Sequence, residues 1–468
     1  MTKPSIRVVT ADIPDDVEHE KYALNELGLS RRLVDKYKYK IRYCHELKSW
    51  FVYDGCRWSR DTTGQIMRYA RKVVQSIARL AEQTRDNTNR KRLKSYVRRI
   101  SSVRMLKNML ELAQSEPELA VKADDFDQTS QMVCVENGCI DFNLGFRKND
   151  PKDMHTKVAP VHFDPKARHS VWKRFIDDLT GNDGVLAAFL SRVFGYALLG
   201  SCVEEKIFFI CGEGAAGKST FIESIKAALG NYVKIADFNT LLKKGNSNTS
   251  HDIARLKGAR IVVINEIEPN VEISAKTIKS LTGRDHIVSR NLYENATEWV
   301  PEFTIFVICN HLPKFNTIDS SIERRVVVIE LNNVVPKEKR DPALKTQLCS
   351  DELVRSEILN FLISGSLLHL REKLVVPLSV RQATNRYLNN QDDPVGEWIE
   401  ECCVEMVSSW TATQWLYKSY MSFCEEKSTS PISLPLFSRS LKQRGYSQAT
   451  RRLNGKATRG YSGIDLLF

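Results

Sequence analysis

The apolar residues of this 468-residue chain follow two different periods along the sequence. Between Gln65 and Gln83 they recur at helical spacing, and a second helical stretch runs from Lys91 to about Ala113. In the middle of the chain, fully apolar short runs alternate with helical segments; these runs are KIFFIC, ARIVVINE, FTIFVICN and RRVVVIEL. Strands of this kind are buried on both faces, so the pattern predicts a mostly parallel sheet covered by helices.

Shorter elements flank this α/β core. On its N-terminal side the chain turns helical from Leu24, with the segment LSRRLVDKYKYKIRY. Two strand pairs are predicted after it, one around the DG turn of SWFVYDGCRWSRD and one around the NG turn of MVCVENGCIDFNLG. Just before the core, the segment from Val171 to Leu199 is helical. After the core, the linker NNQDDPVG is followed by three helical pieces and a basic end with several glycines, a pattern typical of a winged helix. We predict four parts: a tail (1–23), an α+β domain (24–165), an α/β domain (166–394) and a winged-helix domain (395–468).

Composition excludes several classes of protein. No apolar run approaches the roughly 20 residues needed to cross a bilayer, and the N-terminus has no signal-peptide core. The 11 cysteines are scattered without a CxxC pair, and the histidines complete no zinc pattern. We expect a cytoplasmic protein with reduced thiols and no membrane partner.

The positive charge is concentrated in two segments. The chain carries a formal charge of +12, and residues 68–107 hold 13 Lys and Arg but only two acids. Residues 439–459 hold seven Lys and Arg and no acid. Two separated basic segments favour a nucleic-acid partner, although a solvated helix face on a basic protein is the simpler alternative.

The strongest chemical motif follows the first apolar strand. It matches G-x-x-x-x-G-K followed by Ser or Thr, between a strand and a helix, with the residues Gly212, Glu213, Gly214, Ala215, Ala216, Gly217, Lys218, Ser219 and Thr220. Glycines let backbone N–H groups curl round phosphates, and the following helix adds its positive N-terminus. Lys218 is expected to reach the β- and γ-phosphates and Ser219 to offer its hydroxyl to Mg²⁺. The motif predicts ATP and Mg²⁺ as ligands.

A phosphate loop needs an acidic residue at the end of a neighbouring strand. Glu266 follows ARIVVIN directly, where we expect it to polarise the attacking water and to serve the metal together with Ser219. Asn265 occupies the position where many such proteins carry a metal-binding Asp. Glu268 is an alternative base, or a solvated loop carboxylate.

Three more residues are candidates for the same site. Asn310 ends the strand FTIFVIC, where its amide can hold a water against the γ-phosphate, or it simply forms the turn before HLP. Arg324 and Arg325 precede the last apolar strand. They can serve a neighbouring subunit's nucleotide as an arginine finger, or they form a surface pair on a basic protein.

At this point the motifs resemble a known family. The order GEGAAGKST, ARIVVINEIE, IKSLTGRDHIVSRNLY, FVICNHLP and SIERRVVVIEL is similar to the superfamily 3 helicases of phages, plasmids and poxviruses, and more closely to the helicase half of the phage/plasmid primase-helicases. The N-terminal region, with FVYDGCRWSRD, ENGCIDF and TKVAPV, resembles that family's helicase-associated region. The resemblance implies an AAA+-like P-loop motor at 166–394.

The family pattern implies a role for individual residues. Lys218 and Ser219 take the phosphate and metal roles, Glu266 the catalytic role and Asn310 the sensor role. The segment 279–293 corresponds to the hairpin that grips single-stranded DNA, with Lys279 and Arg290 at its basic positions. Arg325 takes the finger role, with Arg324 as its rival. Arg284 stands where relatives usually have a second glycine, which adds a charge suited to an anionic ligand.

The resemblance also implies a function. This function is that of an ATP-dependent DNA helicase that moves 3′→5′ and forms a ring, which is expected to be a hexamer. Its substrates are single-stranded DNA and forked duplex. It serves replication of a phage, prophage or mobile element. Because the chain starts almost directly at the helicase-associated region, we expect no primer synthesis by this chain alone and a separate primase or polymerase as partner. The alternative is an origin-binding initiator that melts DNA locally; a small-molecule P-loop kinase leaves both basic segments unexplained.

Overall fold

The computed structural model describes residues 22–128, 131–237, 252–265, 272–289, 297–315, 318–390, 394–427, 431–453 and 456–467. The candidate residues Glu266, Glu268 and Arg290 lie outside these ranges. The helices within them are α1 (Glu26–Tyr37), α2 (Gln65–Gln83), α3 (Asn87–Ile100), α4 (Val103–Ala113), α5 (Ser170–Thr180), α6 (Gly184–Leu198), α7 (Lys218–Leu229), α8 (Ala275–Thr282), α9 (Ser320–Glu323), α10 (Leu344–Ser350), α11 (Glu352–Glu372), α12 (Leu378–Asn390), α13 (Pro394–Cys402), α14 (Thr413–Glu426) and α15 (Leu434–Gln443).

The strands form six sheets. They are β1 (Ile41–Cys44), β2 (Ser49–Tyr53), β3 (Trp58–Arg60), β4 (Ala120–Val121), β5 (Met132–Val135), β6 (Gly138–Asp141), β7 (Gly145–Arg147), β8 (Ile207–Cys211), β9 (Val233–Ala236), β10 (Ile261–Asn265), β11 (Glu272–Ile273), β12 (Ile287–Ser289), β13 (Thr297–Trp299), β14 (Thr304–Cys309), β15 (Lys314–Phe315), β16 (Val326–Glu330), β17 (Cys403–Ala412), β18 (Ser447–Leu453) and β19 (Lys456–Leu466) among the described residues.

The N-terminal region packs α1 to α4 on a small sheet of order β3-β2-β1-β4. The predicted helix α2 has the expected bounds and buries its apolar stripe. The single helix predicted from Lys91 to about Ala113 is wrong: Ser102 accepts a hydrogen bond from Met105 N at 3.3 Å and starts a new helix there. Residues 41–43, predicted as helical, belong to β1 because they pair with β2.

A three-stranded antiparallel sheet, β5-β6-β7, follows this region. Its first two strands are the strand pair predicted around the NG turn. Val133, Val135, Ile140 and Val161 are buried in the same hydrophobic cluster as α5, α6 and α7. This sheet therefore shares its core with the α/β part of the chain, although its sequence lies in the predicted N-terminal domain.

The central sheet has five parallel strands in the order β16-β8-β14-β10-β9. Consecutive residues of one strand point to opposite faces, and both faces are apolar: Phe208 and Ile210 belong to one cluster, Ile207 and Phe209 to the other. The prediction of a parallel sheet covered by helices is confirmed. The edge strand β9 was not predicted, because its sequence VKIA is short and is interrupted by a lysine.

Two helices on one face of the sheet approach each other closely. The helical run predicted from Val171 to Leu199 is two helices, since Gly181 ends α5 in a left-handed conformation and Asp183 caps α6. Helix α6 then packs along α11, where Ser366 Oγ donates to Gly195 O at 2.7 Å. At Gly365 an added Cβ atom would lie 1.8 Å from Ser191 O, so the two backbones meet without side chains between them.

The C-terminal unit has its own hydrophobic core, built around Trp398, Tyr420, Phe437 and Tyr461. Its elements run α13, β17, α14, α15, β18, β19, and the antiparallel sheet has the order β17-β19-β18. No described helix combines the length and the apolar character that a bilayer crossing requires.

Candidate nucleotide and DNA site

The loop between β8 and α7 needs glycine at two positions. At Gly212 a Cβ atom would lie 2.1 Å from Leu331 O, so the loop can leave the strand only without a side chain there. Gly217 has a φ of 83° and directly precedes α7, a left-handed conformation that favours glycine. The loop therefore turns back over the end of the sheet and delivers Lys218 as the first residue of α7.

Lys218 is bonded to three oxygens around this loop. Its Nζ donates to Gly212 O at 2.6 Å, to Glu213 O at 2.8 Å and to Asn310 Oδ1 at 3.0 Å. The side chain is buried, and this burial lowers the pKa of Lys218 from its usual value. The sequence predicted Lys218 and Asn310 for one site, and the structure brings the two together.

The start of α7 is suited to hold an anion. Gly217 provides no side-chain cap, so the N–H groups of the first helical turn are directed to the space in front of the loop. Ser219 is exposed on this first turn, and Thr220 is half-buried beside it. These residues fit a nucleotide phosphate with its Mg²⁺, for which a hydroxyl oxygen is a suitable ligand.

A cavity of about 400 Å³ adjoins the loop. Ala215, Ala216, Gly217 and Thr220 form one side of it, and Phe175, Leu179 and Leu344 supply apolar walls from α5 and α10. Its volume lies within the range of small-molecule sites, and charged side chains such as Arg174 and Lys345 line it beside the apolar walls. Sequence reasoning missed these wall residues, because helices distant in sequence supply them without a motif.

The carboxyl ends of three sheet strands meet at this edge. Gly212 follows β8, Asn310 follows β14, and Asn265 ends β10 opposite Ile308 of β14. Glu266 is the next residue after Asn265 and lies outside the described ranges. Its catalytic and metal roles stay predictions.

Arg324 and Arg325 lie at the other end of the same strands, where the strands of the sheet begin. Arg325 O accepts from Ile207 N at 2.9 Å, just where the parallel strands β16 and β8 begin. The five residues of β8 span about 16 Å between this edge and the phosphate loop. Neither arginine can therefore reach the phosphates at the loop of its own chain without refolding of the sheet.

The two arginines differ in their surroundings. Arg325 is buried, and its guanidinium donates to Thr282 Oγ1 at 3.2 Å, Ser321 Oγ at 2.6 Å and Glu205 Oε2 at 2.7 Å. The side chain of Arg324 is 64% exposed and, among the described carboxylates, contacts Glu205 alone, at 3.3 Å. The prediction preferred Arg325 as the finger; this geometry ranks Arg324 first, because Arg325 would have to leave three internal partners.

The predicted hairpin segment 279–293 needs a similar correction. Lys279 lies on helix α8, where its Nζ is 2.6 Å from Asp319 Oδ2, and the antiparallel pair of β12 and β13 begins only at Ile287. Arg284 is exposed in the turn between them, with Nη2 3.5 Å from Val203 O. The prediction placed Lys279 on the hairpin because the family pattern puts a basic residue there, whereas in this chain Lys279 lies on the helix that precedes it. Arg290 lies outside the described residues.

Three protein-family models match the chain. Residues 30–181 match the family described as D5 N terminal like, residues 210–325 match a family of unknown function (DUF5906), and residues 393–466 match the RFX DNA-binding domain. The name of one relative, Primase D5, agrees with the first of these families. A protein named "Putative helicase" from Acanthamoeba polyphaga mimivirus is 25% identical over 327 residues, covering 64% of this chain and 34% of that protein. The protein named Primase D5 from Fowlpox virus is 27% identical over 150 residues, covering 30% of this chain and 19% of that protein.

Residues 30–181 of this chain are thus similar to the N-terminal part of the poxvirus D5-like proteins. It aligns with about a third or less of the length of these D5-like relatives. Among solved structures, the apo form of the NrS-1 C terminal region is 11% identical and covers 94% of this chain and 100% of that chain. Its TM-score of 0.46 is too low to establish a shared fold.

Proposed function

We propose that this D5-like chain is the motor of an ATP-driven DNA helicase that serves replication of a virus, phage or other mobile element. The observation that carries the proposal is the contact between Lys218 and Asn310 at the carboxyl edge of the parallel sheet. It joins a phosphate-binding loop to a polar residue of the adjacent central strand, in a chain whose relatives are named as helicases or a primase.

Each residue at this edge has a role in hydrolysis. ATP lies with its phosphates on the loop and its base in the adjoining cavity. Lys218 exchanges its carbonyl contacts for phosphate oxygens, and Asn310 orients the attacking water. Glu266 accepts the proton of that water. Ser219 and Glu266 are the residues to hold Mg²⁺, which when bound neutralises charge on the phosphates.

Hydrolysis requires a second subunit in this proposal. Since the arginines lie about 16 Å from their own loop, they act on the nucleotide of a neighbour, with Arg324 as the first candidate and Arg325 as the second. Subunits that complete one another's sites close into a ring, for which six copies are the proposed number. Single-stranded DNA passes through its centre in the 3′→5′ direction, contacted by Arg284, Lys279 and Arg290 near the hairpin.

The C-terminal unit is proposed to be a winged helix. Its order of three helices and three strands suits that fold, and its basic side chains are exposed on α15 and on or beside the β18–β19 pair. These are Arg439, Lys442, Arg444, Arg451, Arg452 and Arg459. Such a unit engages the duplex in front of the fork.

A strand-displacement assay tests the proposal. The purified chain, ATP and Mg²⁺ are given duplexes with either a 3′ or a 5′ single-stranded tail, and the particle mass is measured with and without DNA. We expect displacement of the 3′-tailed substrate only, in a ring-sized particle, and no hydrolysis by Lys218→Ala. ATP turnover by Lys218→Ala at the wild-type rate would refute the site.

The second candidate is an origin-binding initiator. The match of residues 393–466 to the RFX DNA-binding domain favours it, since such a unit can read a specific duplex sequence. Processive displacement of a long strand of arbitrary sequence supports the helicase. Melting confined to one selected sequence supports the initiator.

A further inference from the structure

Two adjacent helices of the N-terminal region carry rows of exposed basic side chains. On α2 the row is formed by Arg68, Lys72 and Arg79, and on α3 by Arg90, Lys94 and Arg98. Spacings of four, seven and eight residues bring the members of each row to one side of their helix. We call these six residues the α2–α3 basic surface.

The opposite sides of both helices are fixed in the core. Helix α2 buries Ala70, Val73 and Ile77, and α3 buries Tyr96 and Ile100, in one cluster with α1 and α4. The basic rows are therefore held outward by packing, and their positions do not depend on loops. The surface is a rigid feature of the fold.

The charge of this surface is not neutralised within the described parts of the chain. Arg68 bonds the neutral oxygens of Gln65 and Thr63, and Arg90 bonds Asn87 Oδ1. No cation of residues 68–107 forms a salt bridge with a described carboxylate. By contrast Arg31 on α1 contacts Asp35, Glu116 and Glu118, within the same region.

This segment also accounts for most of the net charge of the molecule. Residues 68–107 hold 13 basic and two acidic residues, a net +11, whereas the whole chain is +12. An excess so concentrated creates a local field that attracts polyanions. An acidic partner is therefore expected at this surface.

The side chains of the surface favour a duplex over a single strand. Proteins that bind single strands combine basic residues with exposed aromatic rings on which bases stack. Both aromatic residues of α2 and α3 are unavailable for this: Tyr96 is buried, and Tyr69 stacks on Tyr37 with ring centroids 4.4 Å apart. The surface offers positive charge without a stacking platform, which suits phosphates whose bases remain paired.

The dimensions agree with this assignment. Arg90 to Arg98 spans about 12 Å at 1.5 Å per residue, and Arg68 to Arg79 about 16 Å. Packed neighbouring helices lie about 8–10 Å apart, close to the roughly 12 Å width of the major groove that separates two phosphate rows in B-DNA. Two basic rows can thus follow two rows of phosphates.

We propose that the α2–α3 basic surface binds the phosphate backbone of double-stranded DNA. This contact is separate from the hairpin and from the C-terminal unit, and it requires neither ATP nor a single-stranded end. It reads no sequence, because only phosphates are contacted. Its role is to hold the parental duplex beside the motor.

The test measures binding of a blunt-ended, arbitrary-sequence duplex by fluorescence anisotropy over a series of salt concentrations, without nucleotide. The variant is Arg90→Gln, Lys94→Gln, Arg98→Gln in the full chain. The matched control removes the same charge from three exposed lysines elsewhere, as Lys148→Gln, Lys152→Gln, Lys166→Gln. Thermal melting of both variants verifies that the fold is retained.

We expect the α3 variant to bind the duplex at least about tenfold more weakly at about 100 mM salt, with a plot of log K against log salt shallower by about 2 to 3. The control should bind like wild type, and hydrolysis of ATP should be unchanged in both, which separates this proposal from that of the motor. Equal losses in variant and control, an unchanged salt slope, or a loss confined to single-stranded DNA would each overturn the proposal. If the α3 variant melts early, Arg68→Gln, Lys72→Gln, Arg79→Gln on α2 provides the same test.

Discussion

Lys279 Nζ lies 2.6 Å from Asp319 Oδ2, and this ion pair joins α8 to the cap of α9. Asp319 also accepts from Ser321 N at 3.1 Å and Ile322 N at 3.0 Å, and the bond from Lys279, with these backbone bonds, lowers the pKa of Asp319. Helix α9 leads directly into Arg324. The helix before the β12–β13 pair is thus tied to the segment that carries the candidate finger.

The first prediction tests whether Lys279 contacts DNA directly or acts through its ion pair with Asp319. We expect Lys279→Ala to keep basal ATP hydrolysis but to lose its stimulation by DNA, while Asp319→Asn keeps both. The reason is that exposed ion pairs contribute little, so a phosphate can replace Asp319, and Asn caps a helix as well as Asp. The measurement is ATPase rate with and without single-stranded DNA. If Asp319→Asn behaves like Lys279→Ala, the pair itself transmits the signal.

The second prediction concerns Arg324 and Arg325. Arg324→Ala should abolish hydrolysis with unchanged ATP binding and melting temperature, because its side chain is largely exposed. Arg325→Ala should lower the free energy of unfolding by about 2 kcal/mol, since it leaves the partly buried Glu205 without its closer partner. Mixing Arg324→Ala with Lys218→Ala subunits should restore activity, because each spoils a different half of a shared site. No recovery in verified mixed particles argues against sharing.

The third prediction tests the contact between α6 and α11. Gly365→Ala should lower the free energy of unfolding by about 3 kcal/mol, because its Cβ atom would lie 1.8 Å from Ser191 O and force the helices apart. Gly184→Ala at the start of α6 is the control: nothing lies within 4 Å of its added Cβ atom, so stability should rise by up to about 1 kcal/mol. Urea denaturation measures both. If the two substitutions change the free energy of unfolding equally, α6 and α11 can move apart without loss of stability.

The fourth prediction is a pH dependence of stability. Burial, together with the positive charges of the neighbouring Lys373 and Arg192, lowers the pKa of His369 from 6.5 to about 4. Between these pH values the unfolded chain takes up a proton at this imidazole while the folded chain does not, so acidification destabilises the fold. Wild type should therefore lose more stability from pH 7 to pH 5 than His369→Gln. Parallel losses would exclude His369 as the cause.

The sequence predicted what local patterns determine. The bounds of α2 and four of the five parallel strands follow from apolar spacing, and the loop from Gly212 to Thr220 follows from its motif. Lys218 and Asn310 were expected in one site because both come after parallel strands of one sheet, although their direct contact was not predicted. Each of these features is encoded by one or two short stretches of sequence.

The rest depended on tertiary contacts. The break at Ser102 was missed because α3 and α4 both present apolar faces with the same period. The burial of Arg325 depends on Glu205 and Thr282, which are distant in sequence. The cavity walls Phe175 and Leu344 likewise come together only when α5 and α10 pack.

The separation of the phosphate loop from the arginines by the length of β8 has a kinetic consequence. Under the proposed assembly, the Lys218 and Arg324 of one chain work in two different sites, one with each neighbour. A single chain that lacks both residues then silences two sites, so a minority of such double-mutant copies should inhibit more than in proportion to its share. Dilution below the dissociation constant of the assembly should likewise reduce turnover per chain, although every chain remains folded.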